Sequence, residues 1–192
     1  MRRAALLLLP AALVLALGAC SPGARALRYP VPPVAVQARV PVAFAAIEVL
    51  DVTLPSYAQG EQISVGLASG GIQRKPGLLW ADLPARAVTL DLTRVLGQIT
   101  GAQVASSPWP FDRSADARVE VRIEEFLPLE TGTFRLSGQY FVGAFDGSDR
   151  ARARSFAIAV PFDPAGATPA IAAARAQATA RLAEAIARDG LR

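Results

Sequence analysis

Residues 119–145 read VEVRIEEFLPLETGTFRLSGQYFVGAF. Val119, Val121 and Ile123 alternate with Glu120, Arg122 and Glu124, a period of two that makes a strand with one buried and one solvated face. Thr133 to Phe145 continues the sheet with Phe134, Leu136, Tyr140 and Val142 on one side, and Gly132 and Gly147 sit near its turns. Downstream, Ala151 to Val160 makes a further strand. Thr168-Pro169 then opens a helix with Ile171, Ala174, Ala178, Leu182 and Ile186 as its apolar stripe and Gly190 as its end. Upstream, Gln103 to Ser106 is a short strand broken by Pro108-Trp109-Pro110. Before it, Asp82 as N-cap, Pro84 in the first turn and Val88, Leu92, Val95 and Ile99 at helical spacing predict a helix over 83–99, stopped by Gly101. QISVGLA (62–68) reads as a strand leading to a turn or hairpin at Gly70-Gly71, and AAIEVLDVTL (45–54) as a mostly buried strand ended by Pro55. The order β-β-α-β-β-β-β-α predicts an α+β single domain over 44–192. Its sheet is mostly antiparallel or mixed, of five to six strands, packed against two helices.

The chain before this domain has a different composition. Arg2 and Arg3 precede the apolar run ALLLLPAALVLALG, which is shorter than the roughly 20 residues of a membrane-spanning helix and is interrupted by Pro10. Its length and flanks are those of a secretory signal peptide over 1–19. Leu17-Gly18-Ala19-Cys20 resembles the bacterial lipobox, in which the chain is cut after Ala19 and the thiol of Cys20 carries a diacylglycerol. Each buried methylene adds about 0.8 kcal/mol, so two or three chains give stable residence on a membrane. Serine at position 21, by resemblance to enteric sorting rules, directs the protein to the outer membrane. Residues 20–43, with Pro22, Pro30, Pro32, Pro33 and Pro41, favour extended polyproline II at about 3.1 Å per residue. They are expected to be a tether on the order of 50–70 Å long, although Tyr29 and its apolar neighbours are able to pack onto the domain.

Composition narrows the chemistry. The 192 residues contain no histidine and one cysteine. That removes the commonest general base and transition-metal ligand, and with them Ser-His-Asp, Cys-His and His-ligated metal chemistry. A lone cysteine forms no internal disulfide. Cleavage before Cys20 takes away Arg2 and Arg3 and lowers the formal charge from +4 to +2, too small a surplus for a nucleic-acid partner. Glu124 and Glu125, adjacent on a strand, point to opposite faces and serve solvation and sheet-edge protection. Ser64, Ser69 and Ser137 lack a histidine base. Lys75 is the only lysine, and no motif supports a Ser-Lys dyad with it. Gly66, Gly70 and Gly71 do not make a phosphate loop. The sequence therefore reads as a non-enzyme with no catalytic, metal or cofactor residues beyond a covalent lipid on Cys20.

Two groups of residues keep two readings each. Arg150, Arg152 and Arg154 share one face of a strand, where they meet an acidic partner or phospholipid headgroups, or are a solvated face in a chain that uses arginine in place of lysine. Trp80 and Trp109 either anchor a protein interface or plug the core beside a helix end.

IEVLDVTLPSY, LLWADLPARAVTLDLTRVL, GAQVASSPWPF, VEVRIEEF, FRLSGQYFV and the closing Ala-rich helix together resemble the ABC-type transport auxiliary lipoproteins, the PqiC-like group. The resemblance runs from residue 47 to the C-terminus. Leu79-Trp80-Ala81, Pro108-Trp109-Pro110 and Leu136-Ser137-Gly138 are its most telling segments, and none is catalytic. It implies a lipid-anchored auxiliary component that docks a periplasmic MCE-domain assembly to the outer membrane, with a separate inner-membrane permease and ATPase, and allows a homo-oligomer. The alternative is an outer-membrane assembly or plug lipoprotein for a β-barrel partner. An envelope hydrolase is a third reading, which the composition disfavours. Replacing Cys20 with alanine is expected to abolish incorporation of labelled fatty acid and to release the protein from membranes; labelling that persists would refute the lipobox assignment.

Overall fold

The opening alternation is realised as one long hairpin, around which the other strands are arranged. The computed structural model describes residues 26–35 and 39–192; the expected signal peptide, Ala19 and Cys20 lie outside the described residues. In chain order the strands are β1 (Leu27–Tyr29), β2 (Ala46–Val49), β3 (Gln62–Gly66) and β4 (Ile72–Trp80), followed by helix α1 (Pro84–Thr100). Then come β5 (Gln103–Ser106), β6 (Ala117–Leu129), β7 (Thr133–Ala144), β8 (Arg152–Pro161) and helix α2 (Ala167–Ala185), which runs on into a π turn at Ile186–Gly190.

β6 and β7 pair antiparallel from Ala117 opposite Ala144 to Leu129 opposite Thr133. The register slips between Ile123 and Glu125, so Glu124 is the extra residue of a bulge. Facing the bulge is Gly138, with φ of 155°, where a Cβ would stand 2.1 Å from the carbonyl oxygen of Arg122. Only glycine lets the two backbones approach this closely. Glu124 and Glu125 thus lie on a central strand and not at a sheet edge: Glu124 is exposed, and Glu125 pairs with Arg135 at 3.2 Å.

On its other side β6 serves two partners in turn. Its first residues pair in parallel with β2, and Leu129 at its far end pairs in parallel with Gly66 of β3. β2 carries β5 in parallel, β3 carries β4 antiparallel, and β4 carries β1 in parallel. Between these two wings the chain fills the gap. Thr53 N–H donates to Val121 O at 3.1 Å, Ile123 N–H donates to Thr53 O at 2.9 Å, and Phe126 N–H donates to Tyr57 Oη at 3.0 Å. The result is one mixed sheet of eight strands in an α+β domain.

The strand count exceeds the expected five to six by the pair β1 and β4. β4 shows no apolar alternation because most of it is exposed, and Pro76 within it argues against a strand except near an edge. β1 has three residues in a proline-flanked stretch. Its pairing with β4, and the burial of Val40, carry the sheet and core back into the stretch expected to be a tether. The described structure thus begins its sheet at Leu27 and not near residue 44.

The helices cover one face. α1 buries Val88, Leu92, Val95, Leu96 and Ile99, each contributing on the order of 1.5–3 kcal/mol. Thr89 satisfies its buried hydroxyl by accepting from Val52 N–H at 3.0 Å and donating to Ala85 O at 2.9 Å. The helix begins at Pro84 with Leu83 as its N-cap residue. Asp82 lies one place earlier, accepting from Leu83 N–H and pairing with Arg86, so it is not the cap. Gly101, at φ 71°, closes the helix by donating to Gly97 O at 3.0 Å. α2 packs against α1 and over β7 and β8; its many alanines let it sit close.

β8 borders β7 on one side only, and its other edge is unpaired among the described residues. Pro161, at its end, has no N–H to offer. Arg154 and Arg181 donate to the carbonyls of Ala153 and Ala159 at 3.0 and 3.1 Å, and Arg152 donates to Ala151 O at 2.9 Å.

Gly138→Ala is expected to destabilise the domain by roughly 2–4 kcal/mol, because backbone must move to admit the methyl group. Gly60→Ala, where a Cβ meets nothing within 4 Å, is expected to stay within about 0.5 kcal/mol of the parent in the same denaturation experiment.

Candidate docking surface

With α1 and α2 on one side, the opposite face of β6, β7 and β8 has no helix over it. Side chains out of phase with the core emerge there: Arg118, Glu120 and Arg122 from β6, Phe141 from β7, and Ala153 from β8. Phe145, just past β7, is 61 % exposed. Arg122 pairs with Glu120 at 2.7 Å and lies over the Phe141 ring at 4.8 Å. Arg118 lies over the Phe145 ring at 5.2 Å and donates through Nε to Glu48 at 2.8 Å. Glu48 emerges from β2 on this same face and is only 5 % exposed. A buried carboxylate needs such a partner, and here the partner also holds the aromatic ring in place.

The loop between β5 and β6 closes over this end. Trp109 packs edge-on against Phe111, ring centroids 5.0 Å apart, and its Nε1–H donates to Arg113 O at 2.7 Å. Asp116 fixes the loop to the sheet, with Oδ2 accepting from the N–H groups of Ala45 and Ala46 at 3.1 and 3.0 Å. Its Oδ1 pairs with Arg113 at 2.7 Å, and its carbonyl accepts from Phe145 N–H at 2.7 Å. Two shallow grooves result, of about 510 and 410 Å³. Arg118 and Phe145 line both; Glu120, Phe141 and Ala153 also border the first, Glu48 and Trp109 the second. Held aromatic rings, each under a guanidinium on a rigid sheet, are the residue types that carry protein interfaces.

The residues singled out in the sequence are partly brought together here. Trp109 borders the second groove. Trp80 is 3 % exposed and belongs to the core, so it offers nothing to a partner. The three arginines do not share one strand face. Arg150 precedes β8 and pairs with Asp146 at 3.7 Å, whereas Arg152 and Arg154 lie in β8, in phase with Phe156, Ile158 and Val160 on the helix side. Ser64 Oγ donates to Tyr57 O, and Lys75 Nζ donates to Gln73 Oε1, so neither engages the other as a dyad. Sequence reasoning missed Phe141, Phe145, Arg118 and Glu48. Their signals were aromatic rings at the solvent phase of β7 and one carboxylate inside the apolar run AAIEVL.

The family model described as the ABC-type transport auxiliary lipoprotein component matches residues 26–187, nearly the whole described chain. The chain belongs to that family. Its fold is shared by solved structures of low sequence identity. One, a crystal structure of an uncharacterized protein, is 18 % identical with a TM-score of 0.67, covering 83 % of this chain and 95 % of its own. Another, a Xanthomonas campestris protein of the DUF330 family, is 16 % identical with a TM-score of 0.62, covering 84 % and 95 %. No curated protein matches the sequence. Among the described residues of this auxiliary lipoprotein, no helix is long and apolar enough to cross a membrane.

Among the described residues of the auxiliary lipoprotein, the one large pKa shift lies away from the candidate docking surface. Arg175 of α2 is 1 % exposed, between the Trp80 ring at 4.7 Å and the Phe126 ring at 5.3 Å. One nitrogen donates to Pro84 O at 3.4 Å and its Nε has no partner. Burial pushes its pKa down to about 10, well below that of a free arginine, with Asp91 and Asp82 opposing the shift. The unfolded chain therefore holds this proton more tightly. The charged form opposes folding at neutral pH, and stability recovers as pH rises above about 10. Arg175→Met is expected to fold and to raise the unfolding free energy at neutral pH by about 1–3 kcal/mol. Denaturation at neutral pH and above pH 10 checks this, the gap between variant and parent narrowing at the higher pH.

Proposed function

We propose that this auxiliary lipoprotein is a non-catalytic adaptor, anchored to the outer membrane through a lipid on Cys20. On this reading it docks a periplasmic MCE-domain protein of a lipid-transport system whose permease and ATPase sit in the inner membrane. Family membership supports the transport role. The observation that carries the docking role is the helix-free sheet face on which Arg118 and Arg122 overlie Phe145 and Phe141, with Trp109 at its border. The MCE-domain partner follows from the family resemblance and the outer membrane from Ser21 beside the lipobox, while the surface supplies the contact.

The face also has a position that suits an adaptor. It lies at the end of β6 where Ala117 begins, whereas the β6–β7 turn and the β3–β4 hairpin are at the other end, on the order of 40 Å away along thirteen residues. A lipid at one end and a protein at the other leave the sheet as the spacer between them.

Affinity purification of the full chain from native envelopes is expected to recover an MCE-domain protein. Phe145→Glu combined with Trp109→Glu is expected to lower that recovery at least about thirtyfold, as loss of a central aromatic contact does. Recovery of a β-barrel protein with no MCE-domain protein would sink the reading in favour of an assembly or plug role.

A further inference from the structure

β1 and β4 run in the same direction, with Leu27 opposite Leu78 and Tyr29 opposite Trp80. The first residue of β1 therefore faces the beginning of β4, the side of Ile72 and the β3–β4 turn. Ile72 lies six residues before Leu78, about 20 Å along the strand. Cys20 lies seven residues before Leu27, so a lipid there is held within about 25 Å of β1. That reach matches the distance to the hairpin and is less than half the span of the whole proline-rich stretch.

The hairpin has a surface suited to that position. Leu27 and Ile72 are large apolar residues exposed by 60 % and 47 %. Arg74 and Lys75 follow Ile72, and neither forms an ion pair among the described residues, whereas Arg28 is paired with Glu61 at 2.9 Å. The carboxylates at this end are engaged by backbone N–H groups, Glu130 by Ala68 and Asp163 by Ala165. An exposed aliphatic side chain beside cations that have no carboxylate partner among the described residues matches a bilayer interface, which offers acyl boundary and phosphate together.

We infer that the β3–β4 hairpin, with β1 beside it, is the face by which this protein rests on an anionic phospholipid surface. Ile72 enters the interface, and Arg74 and Lys75, which emerge on opposite faces of β4, meet phosphates on either side of the strand. The inference rests on Cys20 as the anchor. It orients the domain: β4's first half lies against the membrane, and the surface of Phe145 and Trp109 points away from it.

The test uses the full lipidated chain on vesicles of phosphatidylcholine with and without phosphatidylglycerol. A cysteine placed by Ile72→Cys, or by Ser69→Cys as a second position, carries a fluorophore, and headgroup-labelled lipid quenches it. Phe145→Cys is the control at the opposite end. Quenching at 72 and 69 but not at 145 is expected. Arg74→Glu with Lys75→Glu is expected to reduce the docked population at least about tenfold and to remove its dependence on phosphatidylglycerol. Equal quenching at both ends, or unchanged quenching in the double variant, on a chain that floats with vesicles overturns this inference alone. Uptake of the thiol label by the parent chain, or failure of the parent to float, instead overturns the anchor at Cys20.

Discussion

The close approach of β7 to β6 at Gly138 is the constraint on which the rest of the sheet depends. β6 must pair with β7 over its whole length while serving β2 near one end and β3 at the other. A straight strand would present one continuous edge to both. The bulge at Glu124 bends and twists it between the two partners, and glycine at 138 lets β7 follow without losing register beyond the bulge. The two wings leave a gap beside the bulge, and the segment from Leu50 to Ala58 fills it.

Two buried charges show how differently the two faces are treated. Glu48 lies on the helix-free face with Arg118 at 2.8 Å, and the pair in turn holds Phe145. Its burial is compensated and contributes to a surface. Arg175 lies on the helix side with no ion pair among the described residues, one long hydrogen bond, and the faces of two aromatic rings. Attraction to a ring is worth about 0.5–2 kcal/mol, less than the several kcal/mol that desolvating a cation costs. The core therefore retains a strained position where α2 meets Trp80, close to the start of α1.

What was legible in the sequence is what burial makes periodic. Val119 to Ile123, the β7 face from Phe134 to Val142, and Val88 to Ile99 each bury one side against solvent on the other, so their spacing reports their structure. β4 escaped because exposure removes the alternation and Pro76 speaks against a strand, though a strand next to a short edge partner tolerates it. Arg175 sits inside an alanine-rich helix whose small side chains mark no sharp face, so nothing in the spacing says that position 175 is interior. The docking surface was only partly visible. Trp109 stands out as one of two tryptophans, but Phe141 and Phe145 become a site only through the arginines of a neighbouring strand.

The unpaired margin of β8 bears on how copies of a lipoprotein coexist. Proteins confined to a surface meet at high effective concentration, and an open ten-residue strand is a template for zipping chains together. Here Arg154 and Arg181 occupy carbonyls on that strand with their own guanidinium groups, Arg152 does the same at Ala151 just before it, and Pro161 withholds a donor. An arriving strand would have to displace these bonds while bringing a second set of like charges alongside. The margin is thus guarded against edge-to-edge pairing of copies even where their local concentration is high.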